Sequence, residues 1–211
     1  MALSNIIFLR QLCLGLLIAL TTLAASGTTY AKTVLVIGDS ISAGYGVELK
    51  DGWVNLLRER LNQQGEYTVI NASISGNTTS MGLARTPGLL RKHQPDIVII
   101  ELGGNDGLQG HPLKVLHKNL SKITELSQAA GADVLLVGIQ IPPNYGSRYT
   151  EEFFGTFPKV AEEHQVPLVP FILDEVAIYP ELMQRDGIHP TADAQPKLLE
   201  NVWPHFEALI K

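Results

Sequence analysis

Residues 34–46 read VLVIGDSISAGYG. Four aliphatic residues, Val34 to Ile37, run without a break into Gly38-Asp39-Ser40, and mostly small residues follow as far as Gly46. A short unbroken apolar run is the mark of a strand covered on both faces, because a strand with one wet face alternates. The run therefore brings an acid and a hydroxyl to the point where a buried strand leaves its sheet. Two readings stand open on these residues alone. Asp39 and Ser40 cap the next turn, a position both types favour, or the strand delivers Ser40 to a reaction site.

Similar runs recur along the chain: YTVIN (67–71), DIVIIEL (96–102), DVLLVGI (133–139) and VPLVPF (166–171). Helical segments lie between them. DGWVNLLRERLNQQG opens at Asp51 as a capping residue, places Trp53, Leu56, Leu57 and Leu61 on one stripe, and stops at Gly65. The segment 80–94 is interrupted by Pro87 and Gly88, and 112–131 is amphipathic between Pro112 and Gly131. Segments 150–165 and 192–211 follow, the last with Pro196 in its first turn and Pro204 as a bend. Strand and helix alternate five times. This pattern predicts a flavodoxin-like three-layer α/β/α fold around a five-stranded parallel sheet of order 2-1-3-4-5. Ligands of such sheets bind beyond the carboxyl ends of the strands, so candidate site residues belong in the loops that follow them.

The chain of 211 residues fits one domain, expected over 32–211. Before it, residues 1–31 carry one charge, Arg10, then an apolar run from Leu12 to Ala25 and small residues ending Thr29-Tyr30-Ala31. That is the anatomy of an export signal cleaved after Ala31, and the run is shorter than the roughly 20 residues of a membrane-spanning helix. Cleavage removes Arg10 and the one cysteine, Cys13. The remaining 15 Lys and Arg stand against 21 Asp and Glu, a net charge of 15 − 21 = −6. The expected product is a periplasmic or secreted monomer, without disulfides, thiol nucleophile or stable membrane anchor. Its acidic balance gives no reason to expect nucleic acid as a partner. No GxGxxG, GxxxxGK[ST] or HExxH occurs, so neither a nucleotide cofactor nor a metal is expected. His111 and His117 read as solvated side chains near a helix start.

The strand-following loops hold complementary chemical parts. Ser40 is a hydroxyl nucleophile in need of a base. Gly38, Ser42, Ala43 and Gly44 around it are small, as if to clear a substrate's approach. His189, in DGIHP, is a base, and Asp186 three residues earlier can fold back through Gly187 to hold its tautomer. Pro190 restricts the backbone of His189. Gly76 in SGNT and Asn105 in GGND can donate, by a bare N–H and a side-chain amide, to a developing oxyanion. Leu108, Ile141, Pro142, Pro143 and Tyr145 are apolar and lie at the same end, as an acyl groove or as rim packing. Each motif alone is as well explained by turn chemistry. Their conjunction at one sheet edge is not.

GDSIS, the glycine of ASISGNT, GGND and DGIHP resemble the four motif blocks of the SGNH, or GDSL, hydrolase family. The likeness continues through NASISGNTTSMGLAR, ELGGNDGL and PPNYGSRY, and covers nearly all of the chain beyond residue 31. It implies a serine esterase needing no cofactor, with Ser40 as nucleophile, His189 as general base and then acid, and Asp186 as its orienter. The Ser40 N–H, Gly76 N–H and Asn105 amide would form the oxyanion hole. The implied substrates are aryl esters, acyl-CoA and other acyl thioesters, and lysophospholipids. Ile41 stands where the family's name motif has leucine, a change of shape rather than chemistry. A carbohydrate O-deacetylase with the same apparatus is the nearest rival, and a non-catalytic binding protein on this frame is a rival of another class.

Overall fold

A computed structural model describes residues 31–65 and 67–211. Of the export signal read at 1–31, all but Ala31 lies outside the described residues. Five parallel strands, β1 (Lys32–Gly38), β2 (Tyr67–Asn71), β3 (Ile97–Glu101), β4 (Asp133–Val137) and β5 (Leu168–Val169), form one sheet of order β2-β1-β3-β4-β5. The helices are α1 (Ser40–Ala43), α2 (Trp53–Asn62), α3 (Thr79–His93), α4 (Gly104–Leu108), α5 (Leu113–Ala129), α6 (Ser147–Phe154), α7 (Thr156–His164) and α8 (Gln195–Ile210). The expected flavodoxin-like order is the observed one.

Alternation within each strand builds two cores. Val34, Val36, Ile97, Ile99 and Leu135 face α2 and α8. Leu35, Ile37, Val98, Ile100 and Leu136 face the side of α3, α5 and α7. Central strands are buried on both faces, which is why their sequence does not alternate. Each such side chain, removed from water, contributes about 1.5–3 kcal/mol before the cost of ordering the chain. The cores make the sheet a stiff mount for the loops at its carboxyl edge.

Four element boundaries differ from the sequence expectation, three of them through proline or capping chemistry. The strand read at 166–171 shrinks to Leu168–Val169, because Pro167 and Pro170 on either side have no N–H to give a neighbouring strand. The helix read at 150–165 is two, meeting at Gly155. Pro158 thereby falls in the first turn of α7, where its missing donor costs nothing. The cap of α2 is Gly52 rather than Asp51, and the Trp53 N–H is taken by Gln195 Oε1 of α8 at 3.0 Å. On the stripe of α2, Trp53, Leu57 and Leu61 are buried, and Leu56 packs at its margin. Pro87 and Gly88 do not interrupt α3. It runs unbroken across them from its Thr78 cap, whose side chain accepts from the Met81 N–H.

Candidate active site

The turn after β1 is both a cap and a mount. Asp39 is the N-cap of α1, its Oδ1 accepting the Ile41 N–H at 3.1 Å. The single turn ends at Gly44, left-handed with φ 74°, a conformation that costs glycine little. The two readings of Asp39-Ser40 are thus compatible: capping is how the turn holds Ser40. Gly38 does not clear a substrate path as expected. A Cβ on Gly38 would fall 2.7 Å from Ser42 Cβ and 2.8 Å from Ser73 Oγ, so its bareness lets the turn pack on its neighbours. Ser42 is buried and hydrogen-bonded rather than open.

His189 reaches Ser40 from the loop before α8. Its Nε2 lies 2.9 Å from Ser40 Oγ, and its Nδ1 lies 2.7 Å from Asp186 Oδ2. The other Asp186 oxygen accepts the N–H groups of Ile188 (2.9 Å) and His189 (3.0 Å), so the carboxylate folds back around Gly187 (φ 68°). Burial works to raise the Asp186 pKa, but the hydrogen bonds from His189 and Ile188 win and hold it at about 2. The loop is pinned at its base. Met183 bridges Pro190, and Gln184 N–H donates to the His189 carbonyl at 2.7 Å. The Gln184 amide then ties this loop to the one that carries Ser40, donating to the Tyr45 carbonyl at 2.8 Å and the Pro190 carbonyl at 3.0 Å. The Tyr45 ring lies against the imidazole, centroids 4.5 Å apart.

The donors expected for an oxyanion are placed by two further loops. Asn105 Nδ2 donates to Asp39 Oδ2 at 3.2 Å and to the Asn77 carbonyl at 3.1 Å. Both of its hydrogens are therefore engaged within the protein. Gly76 sits in a turn closed by the Asn77 N–H on the Ile74 carbonyl, 3.1 Å, at φ 81°. Neither its N–H nor that of Ser40 has a protein acceptor among the described residues. Asp106, next to Asn105, caps α3 from outside: it accepts the Thr79 N–H at 2.7 Å and the Thr79 hydroxyl at 2.6 Å. Adjacent side chains thus fasten the Gly76 loop to the loop after β3.

A cavity of about 380 Å³ opens from Ser40, Asn105 and His189. Leu108, Ile141, Pro142 and Pro143 line it as expected, whereas Gly76 and Tyr145 do not. Tyr145 is an exposed rim residue. The expectation missed a whole wall. Phe171, Leu173, Ala177, Ile178, Met183 and Ile188 come from the long stretch between β5 and His189. Its signal was present as apolar residues in a segment with neither strand nor helix periodicity. His111 and His117 are not simply solvated: His111 Nδ1 lies 3.8 Å from Asp106 Oδ1, and His117 Nε2 lies 3.0 Å from Glu163 Oε2.

Residues 36–195 match the GDSL-like lipase/acylhydrolase family, a span that takes in the Ser40 turn, the Gly76 and Asn105 loops and the Asp186–His189 loop. The chain belongs to this family. Within it, the chain is 49% identical over 203 residues to the esterase TesA of Pseudomonas aeruginosa, covering 96% of this chain and 100% of that one. It is 44% identical over 206 residues to thioesterase 1/protease 1/lysophospholipase L1 of Escherichia coli K12, covering 98% and 96%. The fold agrees: a crystal structure of TesA superposes with a TM-score of 0.83 at 52% identity, over 84% of this chain and 99% of that one. The Ser40–His189–Asp186 contacts and the cavity with apolar walls both lie at the carboxyl edge of the sheet.

Proposed function

We propose that this protein is an exported serine esterase that hydrolyses carboxylic esters and acyl thioesters through an acyl-enzyme on Ser40. The observation that carries this reading is the unbroken relay from Ser40 Oγ through His189 to Asp186, opening on a cavity with apolar walls. Ser40 attacks the carbonyl carbon as His189 Nε2 takes the hydroxyl proton. Asp186 holds Nδ1–H and stabilises the imidazolium. The oxyanion is met by the Ser40 and Gly76 N–H groups and one hydrogen of Asn105, each donor of this kind being worth about 2.7–4 kcal/mol. Collapse expels the alcohol or thiol with the proton from His189. Water, deprotonated by the same imidazole, then releases the acid and restores Ser40.

The substrate class follows from the cavity wall. Phe171, Leu173, Ile178 and Ile188 favour an acyl chain over a carbohydrate, which would need hydrogen-bonding partners for its hydroxyls. This favours aryl esters, acyl-CoA and lysophospholipids over a carbohydrate acetate, and a binding protein has no use for the relay. Ser40→Ala is expected to lower kcat/KM for p-nitrophenyl butyrate by roughly 10³-fold or more. Turnover within tenfold of the unsubstituted enzyme would refute the assignment.

A further inference from the structure

Beneath the nucleophile turn lies a carboxyl group that this mechanism does not use. Glu101 ends β3, in register with Gly38 of β1, and its exposure is 0%. Its Oε2 accepts the Ser42 hydroxyl at 2.6 Å, the Ser42 N–H at 3.2 Å and, more loosely, the Asp39 N–H at 3.4 Å. The Asp39 N–H is shared with the Glu101 backbone carbonyl at 3.2 Å. Ser40 lies between Asp39 and Ser42, so one buried side chain grips the chain on both sides of the nucleophile. Asp39 continues the connection upward, with Oδ1 on the Ile41 N–H and Oδ2 on the Asn105 amide. Ser42, Glu101, Asp39 and Asn105 are thereby one chain of contacts from the floor of the turn to the oxyanion donor.

We propose that Glu101 is a positioning residue for acyl transfer, fixing the Ser40 turn from below and, through Asp39, the aim of the Asn105 amide. The inference rests on the serine-esterase reading. Packing alone does not explain a carboxyl here. Burying one costs several kcal/mol unless its partners repay it, and Glu101 Oε1 has no partner among the described residues. What Oε2 accomplishes is to satisfy donors that α1, a single turn, cannot.

Two buried acids this close do not both ionise near neutral pH. Asp39 faces only donors, the Ile41 N–H and the Asn105 amide, which suits a carboxylate. Burial first, and then the charge of Asp39, push the Glu101 carboxyl well above the usual range. Burial lifts Asp39 only to about 6, against the pull of the Ile41 N–H, His189 and Asn105 and with a small upward push from Asp106. Glu101 is therefore the neutral member, and a glutamine can do its work.

Glu101→Leu, Glu101→Gln and Ser42→Ala test this beside Ser40→Ala. Each is checked for native near-ultraviolet circular dichroism, and kcat and KM are measured with p-nitrophenyl butyrate. Glu101→Leu is expected to lose roughly 30-fold or more in kcat with KM within about threefold. Glu101→Gln is expected to recover at least about tenfold of that loss, and Ser42→Ala to fall between wild type and Glu101→Leu. The proposal is overturned by a folded Glu101→Leu with kcat within threefold of wild type, or by Glu101→Gln no better than Glu101→Leu. Should Glu101→Leu not fold, a Ser42→Ala enzyme with unchanged kcat overturns it. A Ser40→Ala enzyme that still turns over would instead condemn the serine-esterase reading.

Discussion

Asp186 and Asp39 are carboxyl groups about the same imidazole, displaced in opposite directions. Asp186 is held at about 2, below its ordinary 3.8, chiefly because hydrogen bonds to His189 and Ile188 overcome its burial. A depressed acid stabilises the fold fully above 3.8 and loses that contribution as pH falls toward 2. Asp39, lifted to about 6 by burial, has the other sign, and its contribution falls as pH rises from 3.8 to 6. Asp186→Asn should therefore abolish part of the drop in melting temperature between pH 4 and pH 2, and should lower kcat by roughly 10²–10⁴-fold through the wrong tautomer. Equal acid-side melting curves for the two proteins would refute the linkage. At this scale the sequence was informative, because Asp186, Gly187 and His189 are local to one another. It was silent on Glu101, whose partners Asp39 and Ser42 lie 62 and 59 residues away. A glutamate at the end of an apolar strand looks like an ordinary transition to a loop.

Elements were legible where their signal was periodic and misread where it was chemical. The central strands announce themselves by burial on both faces, and α5 by its stripe between Pro112 and Gly131. The boundary of α2 was not legible, since its cap is supplied from α8, 142 residues away. Gln195 is only 1% exposed, and its Oε1 is what the Trp53 N–H finds in the interior. Gln195→Ala leaves that donor buried and unpaired, at an expected cost of about 1–3 kcal/mol. Urea titration should show the lowered midpoint, while kcat/KM with p-nitrophenyl butyrate stays within about threefold, because Gln195 does not line the cavity. An unchanged midpoint would mean that the cap is dispensable and that α2 is held by Trp53, Leu57 and Leu61 alone.

Across the whole molecule, the exposed large hydrophobic residues among those described gather at one edge. Tyr45, Leu49, Ile74, Tyr145, Ile178 and Tyr179 lie in loops leaving the strands' carboxyl ends, and Met81 and Val115 in the first turns of the helices that follow. The edge that carries the Ser40–His189–Asp186 relay is thus the edge where these exposed apolar side chains gather. Ile178, 72% exposed, lines the cavity and stands at its mouth. A two-carbon acyl group seated at Ser40 is too short to extend far along the cavity walls, whereas an eight-carbon chain is long enough to approach that mouth. Covering Ile178 with an acyl chain removes apolar surface from water, worth about 0.8 kcal/mol for each methylene buried. Ile178→Ser should therefore lower kcat/KM for p-nitrophenyl octanoate by roughly three- to tenfold and leave the acetate ester nearly unchanged. A parallel fall for both esters would show that Ile178 acts on the fold of the loop rather than on the chain. A fall for neither would place the acyl path elsewhere along the cavity, toward Leu108 and Ile141.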